Sequence, residues 1–195
     1  ESFTFLYVEP FIPGYREVVI NEIMADPTPQ FGLPSYEFVE LFNKSSKPVS
    51  LKNWLIADAL ASYALPDVTI SPLGYVIICD AAAQSDFSVY GTTAVISGFP
   101  SLTNGGEAIA LLNENNKVID RVAYDDSWYK DDVKLEGGYI HQLVNPYLDC
   151  SNEDNWIASN NDSGGTPGAV NSVFSNTPDT KNPEILKTVI VSLLS

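Results

Sequence analysis

The chain has 195 residues, 45% of them apolar and 11% aromatic, enough for one domain with a real core that needs no metal to fold. Ten Lys and Arg against 25 Asp and Glu leave a formal charge of −15, which removes the electrostatic drive toward phosphate backbones and anionic membranes and argues against nucleic acid as a partner. Charged residues are only 18% of the chain and no run approaches the roughly 20 apolar residues of a membrane span, so neither a disordered chain nor membrane insertion is expected.

In chain order, residues 1–16 read as a lead-in segment, with no basic stretch ahead of an apolar core as in a signal peptide. Short runs of β-branched and aromatic residues then predict strands at 17–25, 36–43, 54–57, 75–79, 94–97, 107–112, 117–124 and 139–144. Pro, Gly, Asn and Asp punctuate them, as in Asp26-Pro27-Thr28-Pro29, Asn104-Gly105-Gly106 and Asn113-Glu114-Asn115-Asn116. Only 80–90 predicts a helix, with Asp80 as its cap. Many short strands with frequent breakers predict an all-β sandwich or barrel over 17–174. Residues 175–183 form a polar, proline-containing linker. Residues 184–195, apolar on both alternate faces, read as the first strand of a following domain cut short, an edge able to pair with another copy.

The chemistry-bearing residues are sparse. His141 is the only histidine, so Ser-His-Asp, Cys-His and histidine-based zinc sites lack parts, and His141 reads as an ordinary strand residue. Glu22 shares an alternate-residue face with Ile20 and Met24, and Glu40 with Phe38 and Phe42. A carboxylate on an apolar face must find hydrogen-bond donors or keep its proton. The pair is therefore read as accepting loop backbone N–H groups and pinning turns, ahead of a metal site or a carboxylate-based hydrolase. Asp125, Asp126, Asp131, Asp132 and Glu136, with Lys130 and Lys134 among them, read as a solvated loop ahead of an oxygen-rich Ca²⁺ site, which would lack the EF-hand spacing. Trp54 and Trp156 read as core anchors, while Trp128 and Tyr129, beside those acids, read either as exposed aromatics for a carbohydrate or protein partner or, at least as well, as cover for the end of the sandwich. The two cysteines, Cys79 and Cys150, fit a long-loop disulfide or two buried thiols equally well.

A series of motifs sharpens this. Val18-Val19-Ile20-Asn21-Glu22-Ile23-Met24-Ala25-Asp26-Pro27, Tyr36-Glu37-Phe38-Val39-Glu40-Leu41-Phe42-Asn43 and Val49-Ser50-Leu51-Lys52-Asn53-Trp54 come first. Leu102-Thr103-Asn104-Gly105-Gly106-Glu107 and Val118-Ile119-Asp120 follow, then Asn155-Trp156-Ile157-Ala158-Ser159, Gly164-Gly165-Thr166-Pro167-Gly168 and Asn171-Ser172-Val173. In this order they resemble the lamin tail domains of bacterial exported proteins. One departure stands out: Gln142 is an amide where the family usually carries a carboxylate.

The resemblance implies an immunoglobulin-like β-sandwich without catalytic activity or cofactor. It implies structural roles for Asn21, Glu22, Glu40, Asn43, Trp54, Trp156, Gly165, Pro167, Gly168 and Asn171. It also implies an interaction or spacer module in a larger secreted or cell-surface protein, contacting adjacent domains or a protein or glycan ligand. An exported setting favours a Cys79–Cys150 bond. A Ca²⁺-stabilised acidic module is the alternative expectation, and a hydrolase the second.

Overall fold

The computed structural model describes residues 11–149 and 151–177. Twelve strands run β1 (Val18–Met24), β2 (Phe38–Asn43), β3 (Val49–Ser50), β4 (Leu55–Ala57), β5 (Ser62–Ala64), β6 (Thr69–Ile70), β7 (Tyr75–Asp80), β8 (Thr93–Ile96), β9 (Gly106–Leu112), β10 (Val118–Asp125), β11 (His141–Leu143) and β12 (Trp156–Ala158). They form a six-stranded sheet, β12-β11-β1-β2-β7-β8, and a four-stranded sheet, β10-β9-β4-β5, with β3 and β6 paired separately. All eight expected strands are present. The short β3, β5, β6 and β12 went unread because two or three residues carry no periodicity.

The main core lies between the two sheets. Ile20, Ile23, Leu41 and Ile78 meet Ile56, Ile109, Leu111 and Val122 there, with Trp54 and Trp156 as the largest buried side chains. Every residue of β1 and β2 is buried, so the six-stranded sheet is covered on its other face too. Part of that cover is helical. Asp80 caps a 3₁₀ turn, Ala81–Ala83, by accepting from Ala82 N–H at 2.9 Å, and a single turn, α1 (Gln84–Phe87), follows. Ala83 and Phe87 pack on Met24, Phe38, Ile77 and Cys79. The expected helix at 80–90 is thus mostly 3₁₀ and turn.

Packing adds detail to two parts of the sequence reading. Within the lead-in, Phe11 packs on the core and Arg16 is buried against Asp120, Nη1 to Oδ1 at 2.7 Å. Cys79 carries a free thiol wedged among Phe38, Ala83 and Phe87, where burial pushes its pKa up to about 11. Its expected partner, Cys150, lies outside the described residues, as do 178–183 of the linker and the strand expected at 184–195.

The β12 edge is capped. Lys130 Nζ donates to the carbonyls of Glu153 and Trp156, and Lys134 Nζ to that of Ser159 at 2.8 Å. Lysine on an edge is a recurring guard against pairing with another chain.

Candidate functional site

A bulge creates the site. β1 pairs with β2 at Ile20↔Leu41 and again at Glu22↔Glu40, so one extra residue, Asn21, is inserted between them. Simple alternation puts Glu22 with Ile20. The bulge moves Glu22 to the opposite, outer face, with Met24, directly across from Glu40. On its other side Glu22 faces Gln142 of β11. Three side chains from three adjacent strands therefore line up in one row.

The segment 163–174 crosses this row as a strap. Glu22 Oε1 accepts from Thr166 N–H at 3.1 Å, from Thr166 Oγ1 at 2.9 Å, and from Gln142 Nε2. Gln142 also donates to Thr166 Oγ1 and accepts from Ser172 Oγ at 2.7 Å. Glu40 Oε2 accepts from Gly168 N–H, and its Oε1 from Asn21 Nδ2 at 2.9 Å. Asn171 joins strap to bulge: Asn21 Nδ2 donates to its Oδ1 at 2.8 Å, and its Nδ2 donates to the Leu143 carbonyl at 2.8 Å. An amide is needed at position 142, because a carboxylate there has no proton to offer Glu22.

Both carboxyls have 0% of their surface exposed. Burial pushes Glu22 up to about pKa 7, against its hydrogen bonds with Gln142 and Thr166. Burial raises Glu40 well above the carboxylate range, and the neighbouring Glu22 raises it further. Glu22 Oε2 has no partner within the protein. The expectation that both carboxyls hold loop N–H groups is thus met at Thr166 and Gly168. A hydrolase role is not supported, since both carboxyls lie beneath the strap, away from any substrate.

The glycines of the strap are there for space. A Cβ on Gly165 would enter the Ile140 side chain, and one on Gly168, at φ +76°, would run into the Tyr90 carbonyl. Pro167 between them is buried. Asn43 plays a related role at another corner, donating to the carbonyls of Lys47, Ile70 and Ser71. Trp54 and Trp156 are core anchors whose Nε1–H groups reach Glu114 and Ser151 at 3.0 Å.

The acidic segment does not assemble. Asp125 caps the 3₁₀ turn Asp126–Tyr129 through Ser127 N–H, and Asp131 accepts from Val133 and Lys134 N–H groups. Asp132 and Glu136 point to solvent, and no group of three or more His, Cys, Asp or Glu among the described residues is disposed to hold a metal ion. The Ca²⁺ candidates are therefore not brought together. Of the two readings of Trp128 and Tyr129, the covering one holds. Their turn folds inward over β12, leaving them 8% and 2% exposed, with Trp128 beside Trp156 and Tyr129 against His141. His141 is buried with both ring nitrogens unpartnered, and burial lowers its pKa to about 4.

Beside the Asn21–Asn171 link lies an apolar cleft of about 280 Å³, walled by Phe42, Tyr75, Tyr147, Val170 and Phe174. Sequence reasoning missed it, because its walls come from four separate segments. It also missed the Arg16–Asp120 pair, whose partners are 104 residues apart.

Two packed sheets, a covered outer face and no assembled catalytic constellation among the described residues define an all-β, immunoglobulin-like module. Residues 13–126 match the model of the lamin tail domain family, and the chain belongs to that family. The family is one of non-enzymatic, immunoglobulin-like modules that often serve protein interaction. No curated protein matches the chain.

Proposed function

We propose that this module is a non-catalytic spacer and interaction unit of a larger exported protein, and that its principal contact is with the polypeptide that follows it. The observation that carries this reading is the place of the apolar cleft. Leu73, Tyr147 and Val170 on its rim are 57%, 53% and 60% exposed, an unusual concentration of solvent-facing apolar surface. Phe174 forms one wall, and Ser175 N–H, bonded to the Val144 carbonyl at 3.0 Å, fixes the chain there just before it continues into 178–195. The apolar run 185–194 begins within ten residues of that point, close enough for a high effective concentration at the cleft. The exported setting is supported by the resemblance of its ordered motifs to lamin tail domains of exported proteins.

Amide exchange in the full chain tests the contact. Tyr147→Lys with Val170→Asp should speed exchange in 184–194 by about tenfold while leaving the melting temperature within a degree or two, because both side chains are on the surface. Exchange in 184–194 that ignores these substitutions would sink the reading.

A further inference from the structure

The strap is held in an uncommon way. From Gly165 to Phe174 its bonds to the strands run through side chains: Glu22 and Gln142 to Thr166, Glu40 to Gly168, Asn21 and the Leu143 carbonyl to Asn171, and Gln142 to Ser172. Backbone bonds tie it down only at its ends, where Ile140 N–H meets the Gly164 carbonyl and Ser175 N–H meets that of Val144. Two of the side-chain anchors are carboxyls that face each other across β1 and β2 with no exposed surface. Directly opposed side chains on neighbouring strands have their Cβ atoms about 5 Å apart, and two charges at that spacing in a dry site exclude one another.

Among the described residues, nothing around the pair offsets a second negative charge. From β7 the titratable neighbour is Tyr75, whose phenol burial pushes up to about 12, and from the loop after β11 it is Tyr147. β11 contributes the uncharged Gln142, and the strap contributes Thr166, Gly168, Asn171 and Ser172. The nearest buried cation, Arg16, is bonded to Asp120 and to the Leu148 carbonyl.

We propose that the Glu22–Glu40 pair is a proton-operated latch for the strap 163–174. While the pair holds a proton, one carboxylate and one carboxylic acid share the row and the strap stays seated. When that last proton passes to solvent, two negative charges face each other and the strap lifts, carrying Val170 and Phe174 away and opening the apolar cleft. Burial raises both carboxyls, Glu22 to about 7, so the release lies above the ordinary carboxylate range.

The test is hydrogen exchange of the full chain, corrected for the intrinsic pH dependence, followed by mass spectrometry at about pH 6 and about pH 9. In the native protein, protection of amides 166–174 should fall about tenfold across this range while that of β2 amides holds, about the response expected of a titrating anchor. Glu22→Gln keeps an acceptor for Thr166 and cannot ionise, so its strap should stay protected at both pH values. Equal strap protection at both pH values in the native protein overturns the proposal, and so does a Glu22→Gln protein that loses protection as the native one does. Should Glu22→Gln not fold, ¹³C-carboxyl NMR of the native protein decides. Strap amide shifts must move with the midpoint of the last proton lost from the pair, and strap shifts that stay constant through it overturn the latch. The outcome is independent of what the cleft contacts.

Discussion

Two buried carboxylate sites of this module, one on β10 and one across β1 and β2, solve the same electrostatic problem in opposite ways. Asp120, on β10, has one oxygen on the Arg16 guanidinium at 2.7 Å and the other on Ile20 N–H at 2.9 Å. Glu22 and Glu40, on the outer face, have no cation at all and rely on amides, a hydroxyl and backbone N–H groups. Burial raises even the Asp120 carboxyl above its usual range, and Arg16 draws it back down. Charge neutralised by charge makes a site that breaks when either partner is removed. Charge suppressed by a retained proton makes a site that responds to pH.

The sharpest way to break that comparison is Arg16→Met. It leaves Asp120 buried without its cation, and stability should fall by about 3–5 kcal/mol in chemical unfolding. A loss under 1 kcal/mol would mean that Asp120 simply takes up a proton, as the outer pair does. Gly168→Ala comes next. Its positive φ and the Tyr90 carbonyl in its path should cost about 1–3 kcal/mol and loosen the strap before the sheets. Native-like strap protection in Gly168→Ala would show that the strap can shift without cost.

Gln142→Glu replaces the donor to Glu22 with a third carboxyl in the row. We expect about 1–3 kcal/mol of destabilisation near neutral pH and much less near pH 5, where the added group keeps its proton. A variant equally destabilised at both pH values would locate the effect in packing. The smallest effects are pH slopes. Glu22 and Glu40 bind protons more tightly folded than unfolded, so the stability they contribute is complete below about pH 4.5. It is lost as pH rises through about 7 for Glu22 and through the raised pKa of Glu40. His141 acts in the other direction. Its folded pKa of about 4 lies below the ordinary 6.5, so it lowers stability as pH falls between those values. His141→Phe should therefore melt higher relative to the native protein at pH 5 than at pH 7.5. Identical differences at the two pH values would contradict the burial of a neutral imidazole.

Much of the fold was legible because strands announce themselves through β-branched and aromatic runs bounded by turn residues. Glu22 and Glu40 stood out for the same reason, as carboxylates interrupting apolar runs. Their pairing was not legible. A single inserted residue at Asn21 reverses the face of everything before it, and no local signal marks the bulge. Trp128 and Tyr129 could not be assigned locally, because neighbouring acids suggest exposure while the rings suggest burial. The inward fold of their turn depends on β12, a three-residue strand 27 positions further on from Tyr129 at Trp156. Arg16 lay beyond local reading for a similar reason, since only the tertiary fold brings it to Asp120.

The lysines on the β12 edge carry a consequence for handling and modification. Of only ten basic residues in the chain, two have their ammonium groups committed to main-chain carbonyls along one margin of the six-stranded sheet. Acetylation of Lys130 and Lys134 would strip the donors from those carbonyls while making an already acidic protein more negative. Solubility would then be set by two opposed changes: stronger mutual repulsion between molecules, and a bare hydrogen-bonding margin open to any extended chain that meets it. An amine-reactive label thus has a structural cost here that net charge alone would hide.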